Sequence, residues 1–276
     1  MEDTAIQLIK DFIAEKLSGD VNNITTFDFR TLEDSEKFGC PQRYFDCDDT
    51  EIMRAIYVVL WGELLPGLSM NNFGYRRQYR GDTMNTFHTM FGRELEGRPG
   101  FFAGLEKYGP SEELREKVRN FSKLCSSVGN YVVLPNYYTG GTTMNLYRGT
   151  NQWHDFFDCF LLELYQVLTG IGKQDTRLVE LVKSNDFCFR KFRSEKGFAD
   201  FADGLLLMDY CGENGQPKQI FSMNYHWKNE QDREQYFRDA EQYLAQTETI
   251  IKRRSEMICQ LLCAKLLKLP HLCKKR

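Results

Sequence analysis

A mainly α-helical chain with a small minor sheet, an α+β arrangement dominated by helices, is what the sequence predicts, on three observations. Apolar residues recur at three-and-four spacing through most of the chain. The strand-like pieces are short and few. No Pro/Gly/Ser-rich linker interrupts the 276 residues, so 1–276 is expected to form a single compact helical domain, ending in a long helix whose last part, 252–276, is basic.

Each element has its own local reason. Ile6, Ile9, Ile13 and Leu17 give a helix over 4–17, closed by Ser18-Gly19. "TFDFR" (26–30) alternates as a strand does, and 33–49 reads as loop. Thr50 is placed to cap a helix carrying Ile52, Ile56, Val59 and Leu60, and Pro66-Gly67 turns the chain after it. Further helices are expected over 83–92, 111–127, 151–169, 175–184, 197–210 and about 230–267. Of these, 151–169 is apolar almost all round (Phe156, Phe157, Phe160, Leu161, Leu164, Val167, Leu168) and is expected to be the most buried long helix. "FGYRRQY", "NYVVLP" and "KQIFSMNY" are the remaining strand candidates, the last following a "GENGQP" turn.

With 42% hydrophobic residues the chain buries a core, which excludes a disordered or fibrous polypeptide. The acidic start lacks the basic region of a signal peptide, and no apolar run reaches the ~18 residues of a membrane span, so a cytoplasmic location is expected. Nine cysteines, none in a CxxC pair, read as reduced thiols rather than a disulfide frame or structural zinc. Neither a cofactor nor a metal is predicted. The net charge of −3 hides an asymmetry: 252–276 holds eight Lys/Arg against one acid, Glu256. That segment, with the stripe Ile258, Leu261, Leu262 and Leu266, is expected to meet an acidic partner or mediate self-association, and its removal from 255 onward to leave the body folded. Cys259 and Cys263, four apart, should face the core or a partner helix.

The functional reading turns on a doubled tripeptide. Tyr-Arg-Gly occurs at 79–81 in "YRGDTMNTFH" and at 147–149 in "LYRGTNQWHD". Asp82 is placed as N-cap of a helix from Thr83, and Thr150 or Asn151 as cap of the helix holding His154. Each copy then sets an arginine, Arg80 or Arg148, beside a helix N-terminus, where backbone N–H groups and the macrodipole favour an anion. Asn85, His88, Asn145 and Asp155 fall near the same turns. The alternative is that both arginines pair with internal carboxylates. His154 and Asp158, four apart, share a helix face and with His88 could ligate a metal, but dipole-favoured acids explain the same residues without one. His226 reads as a packed residue among aromatics. No P-loop, GxGxxG or GxSxG is present, so no catalytic residue is assigned. "YRRQYR" mixes aromatics with arginines, yet the acidic body disfavours nucleic-acid binding except through the tail.

Four stretches in one order, "TFDFRTL", "VLWGELLPG", "SSVGNYVVLPN" with "TMNLYRGTNQWHDFFDCFLLEL", and "KGFADFADGLLLMD", resemble a bacterial, Firmicutes-type family of uncharacterised proteins, catalogued as a domain of unknown function, number six-nine-nine-four. The resemblance runs from about residue 25 to 255 and centres on the series Asn145, Arg148-Gly149, Asn151, Asp155, Asp158, Glu163. It implies no catalytic residue. The expectation is therefore a pocket for an anionic small molecule, such as a nucleotide or phosphorylated ligand, between two Tyr-Arg-Gly helix starts. The alternative is a non-enzymatic interaction or scaffold protein using its basic C-terminal helix.

Overall fold

The computed structural model describes residues 2–40, 46–74, 77–85, 112–150, 156–220 and 230–267. Among them are nine α-helices and one two-stranded antiparallel sheet. Helix α1 (Glu2–Lys16) ends where Ser18 and Gly19 take positive φ, as the sequence predicts. It packs on α2 (Glu51–Trp61), whose start is capped by Thr50, with Met53 N–H donating to its hydroxyl at 3.3 Å. Phe27 and Phe29 of the expected first strand instead pack their rings on Phe12 of α1, and Phe29–Leu32 forms a 3-10 turn held by Asp28, which accepts the Arg30 N–H.

The sheet pairs β1 (Tyr79–Thr83) with β2 (Tyr131–Pro135), placing Gly81 opposite Val133 and Asp82 opposite Val132. The apolar β2 was legible. Its partner was not, because "YRGDT" replaces the expected "FGYRRQY" strand and takes the residues assigned to a helix start. Hydrogen-bond partners from β2 are what fix Thr83 in a strand. Residues 86–111 lie outside the described set, so the rest of the helix expected over 83–92 does too.

After α3 (Glu112–Leu124) and β2 come a short α4 (Met144–Thr150) and then α5 (Phe157–Thr169). Arg148 and Gly149 thus sit in the last turn of one helix rather than ahead of the next. The cap expected at Thr150 does not arise, since Thr150 is the last residue of α4; Asn151, the other candidate, lies with 152–155 outside the described residues, and α5 is preceded by Phe156. Phe156, Phe160 and Leu164 are buried as expected, but α2 is the more buried helix, with nine of its eleven residues inside against eight of thirteen in α5. Its position between α1, α9 and the 47–49 turn explains this. Helix α6 (Arg177–Ser184) is capped by Thr176, and α7 (Asp186–Phe189) follows. The helix expected over 197–210 divides into α8 (Glu195–Gly204) and a 3-10 turn Met208–Tyr210, separated by Leu206 at φ 58°. "GENGQP" does turn, with Gly215 at φ 74° and a bridge between Cys211 and Pro217; of the strand expected in "KQIFSMNY" only 218–220 are described, without strand structure, and 221–225 lie outside the described residues.

The long helix α9 (Glu230–Leu267) runs where its periodicity placed it. Its apolar stripe is covered by the chain's own body: Ile258, Cys259 and Leu262 are buried in the core that begins at Ala5, with Leu261, Cys263 and Leu266 packed on its edge. No helix among the described residues is long and apolar enough to cross a membrane.

Candidate functional site

The two Tyr-Arg-Gly copies do meet, but through one carboxylate. Asp82 of β1 accepts Asn145 Nδ2 at 2.8 Å on one oxygen and pairs with the Arg148 guanidinium on the other. Arg148 also donates to the carbonyls of Thr83 at 3.3 Å and Met84 at 2.8 Å, and its guanidinium lies over the rings of Phe157 and Phe160. It is 1% exposed. Arg80, on the same strand, turns to the 47–49 turn, with Nη2 at 2.7 Å from Asp46 and Nε at 3.6 Å from Asp49. Both arginines therefore face carboxylates of their own chain.

Asn85 enters a separate buried knot. Its amide donates to the Tyr210 hydroxyl at 2.6 Å and its carbonyl oxygen accepts from Tyr243 at 2.5 Å. Asn130 closes the knot, accepting the Asn85 backbone N–H at 3.0 Å and donating to the Asn85 carbonyl at 2.8 Å. This ties β1 to α9. Of the predicted site residues the structure thus joins Asp82, Asn145 and Arg148, sets Arg80 and Asn85 to either side, and leaves His88, Asn151, His154 and Asp155 outside the described residues, as it does His226. Among the described residues no group of three or more His, Cys, Asp or Glu is arranged to hold a metal.

Sequence reasoning passed over the acids beside Arg80. Asp48 and Asp49 are buried, and Arg54 reaches back from α2 to donate to the Asp49 carbonyl at 3.0 Å and Glu51 at 3.0 Å. Burial raises the Asp49 carboxyl to about 6 despite the opposing charges of Arg54 and Arg80. The available signal was "DCDDT", three acids ahead of a capping threonine and an apolar helix, with Arg54 one turn on.

A second place was also missed. Between α5, the start of α6 and Gln219 lies a cleft of about 390 Å³, lined by Cys159, Leu162, Glu163, Gln166, Val167, Gly172, Lys173 and Thr176. Apolar side chains form part of its wall; Glu163 and Lys173 bring opposite charges to it. The Tyr147 hydroxyl of α4 reaches the Glu163 carboxylate at 3.3 Å to each oxygen. Arg148 and Tyr147 are adjacent on α4, so the Arg148–Asp82 pair that fixes this short helix also sets the tyrosine that holds Glu163. Burial, and after it the charge of Asp158, pushes the Cys159 thiol up, away from the thiolate that a nucleophile requires. Glu163 was the one cleft residue carried by the family-like series.

A family model described as a family of unknown function, DUF6994, matches residues 106–258. The chain belongs to this family. The match takes in α4, α5, α6 and the cleft, together with β2 and most of α9, but begins after β1, so it is shorter than the resemblance from about residue 25 suggested. Its end at 258 leaves 259–276 outside, close to the limit of about 255 that the resemblance suggested. No curated protein and no solved structure matches the chain.

Proposed function

We propose that the protein binds a small molecule with an anionic group, a nucleotide or another phosphorylated compound, in the cleft between α5 and the start of α6. The observation that carries this reading is the convergence of Lys173, Glu163 and three uncharged polar side chains, Gln166, Thr176 and Gln219, on one cleft of about 390 Å³, a size within the roughly 300–1,000 Å³ of small-molecule sites. Lys173 supplies a cation close to the positive end of α6, and Glu163 a hydrogen-bond acceptor for ligand hydroxyl or amino groups. The doubled motif is then the frame of the site rather than its lining. No catalytic role is assigned to any of these groups. The free thiols of the described cysteines fit a cytoplasmic setting, and the family-like series fits a bacterial source.

Calorimetric titration with inorganic phosphate, ADP and ATP tests the reading. Binding is expected for at least one of them, weakened roughly tenfold or more by Lys173→Glu, with an upward melting shift in the parent by mass action. Arg80→Ala should leave the affinity unchanged. Loss of affinity in Arg80→Ala, with Lys173→Glu unaffected, would instead place the ligand between the two Tyr-Arg-Gly copies. No heat and no melting shift with any of the three would remove the anion-binding reading.

The exposed aromatic and aliphatic side chains of Tyr137, Tyr138, Leu146 and Ile171 favour a second reading, an interaction or scaffold protein without chemistry. The C-terminal helix offers less to a partner in its described part. Lys252 pairs with Glu248, Arg253 with Asp209 and Lys265 with Glu63, while Arg254 is buried. Light scattering of the parent against Tyr137→Ser/Tyr138→Ser checks self-association, with an unchanged mass counting against it.

A further inference from the structure

A second cleft, of about 370 Å³, lies between α9, the 3-10 turn Met208–Tyr210 and Lys218. Gln242, Gln246 and Arg253 line it from one face of α9, Asp209 lines it from the turn, and Ile250 gives it an apolar patch. Gln219, the neighbour of Lys218, lines the cleft against α5 instead, so the two places are distinct. The turn is set before any ligand arrives. Leu206 ahead of it holds φ 58°, a left-handed conformation that a leucine keeps only where its surroundings enforce it. Two contacts do so: Arg254 donates to the Leu205 carbonyl at 3.1 Å, and the Tyr210 carbonyl accepts the Lys218 N–H at 2.9 Å.

The charges around the cleft do not cancel. Asp209 Oδ1 stands 3.0 Å from Arg253 Nη1, and Asp209 is the only acid among the residues that line the cleft. Lys218 has no carboxylate within ion-pair distance among the described residues, so one positive charge is left over. The pair with Asp209 also restrains Arg253, whose remaining N–H groups meet no acceptor among the described residues. A carboxylate matches that planar fork, with Lys218 as a second cation. The side-chain amides of Gln242 and Gln246 make no hydrogen bond among the described residues, and each offers donors and an acceptor. A phosphate would take the donors and leave the glutamine oxygens unmet, whereas a planar amide brings an N–H and a carbonyl and meets both.

We propose that this cleft binds a small N-acylated amino acid, its carboxylate held by Arg253 and Lys218, its amide by Gln242 and Gln246, and its side chain against Ile250. The site is independent of the cleft between α5 and α6.

Titration of the full chain with N-acetylalanine tests the site, followed by ¹⁵N NMR at the side-chain amides of Gln242 and Gln246, which Gln242→Ala and Gln246→Ala assign. Both resonances are expected to shift saturably. The uncharged carboxamide of the same compound should bind roughly tenfold more weakly or worse, and so should N-acetylalanine itself to Lys218→Gln and to Arg253→Gln. Urea midpoints check that both variants are folded; Lys218 is exposed, so its variant should match the parent. Lys173→Glu should leave the titration unchanged. No saturable shift, equal binding of acid and carboxamide, or an affinity indifferent to Lys218→Gln and Arg253→Gln would overturn the site. Loss of binding in Lys173→Glu would overturn it too, by assigning the ligand to the other cleft. Inorganic phosphate competing as well as N-acetylalanine would overturn the carboxylate-and-amide class.

Discussion

Among the described residues two arginines, Arg148 and Arg254, have no more than 1% of their surface exposed, and they are held in opposite ways. Arg148 faces the Asp82 carboxylate and two backbone carbonyls. Arg254, on α9, has no carboxylate within ion-pair distance among the described residues. Its guanidinium donates to the carbonyls of Gly129 at 2.9 Å, Tyr131 at 2.6 Å and Leu205 at 3.1 Å, and lies over the Trp61 ring. Burial lowers Arg254 to about 10, which still leaves it a cation at neutral pH. A guanidinium thus needs its donors met more than its charge cancelled, since dipolar carbonyls and an aromatic face can take the place of an anion. The difference appears when either arginine is removed: one leaves a buried charge behind, the other only neutral acceptors.

The largest effect should come from ending the chain before Ser255, which keeps Arg254 but removes the end of α9. Ile258 and Leu262 have no exposed surface, and each such side chain contributes about 1.5–3 kcal/mol on burial. Together with the rest of the stripe that approaches the ~5–15 kcal/mol of a whole domain. The truncated chain is expected to show no cooperative urea transition, against the sequence-based expectation of an intact body. Next, Arg148→Met should cost about 3–5 kcal/mol by taking the guanidinium from the buried Asp82 carboxylate, and Asp82→Asn in the same chain should recover much of it. Arg254→Met should cost less, about 1–3 kcal/mol, because carbonyls rather than an anion lose their donor. Denaturant midpoints order the two, and the reverse order would break the comparison.

The same contrast separates what the sequence disclosed from what it did not. Helices α1, α2 and α9 were legible because their apolar spacing and caps are local, as with Thr50 ahead of Ile52. β1 was not, since "YRGDT" has no apolar alternation and is a strand only because Tyr131–Pro135 lies beside it. Arg148 was picked out by its repeat, but its partner is 66 residues away, and nothing near Arg148 names Asp82. Arg254 was counted only as part of a basic tail, because a buried arginine bonded to carbonyls leaves no mark in the charge pattern. Cleft residues Lys173 and Thr176 lie in a turn whose composition resembles any other.

The smallest expected effect concerns Asp49, which stands between the two arrangements with partial ion pairs to Arg54 and Arg80 at 3.7 and 3.6 Å and a side chain 6% exposed. Burial outweighs those cations and raises its carboxyl from 3.8 to about 6. In the unfolded chain the group ionises first, so between these values the folded state holds more proton and stability falls as pH rises. Its contribution is complete below about 3.8 and gone above about 6. Asp49→Asn removes that slope but also weakens the contacts to two guanidiniums, so the net change at neutral pH should be within about 1 kcal/mol. Urea midpoints of parent and Asp49→Asn, followed from about pH 4 to about pH 7, should therefore converge or cross as pH rises. Midpoints that separate further, with the parent gaining, would show that the Arg54 and Arg80 pairs outweigh burial at Asp49 and that it belongs with Asp82 as a true counter-ion.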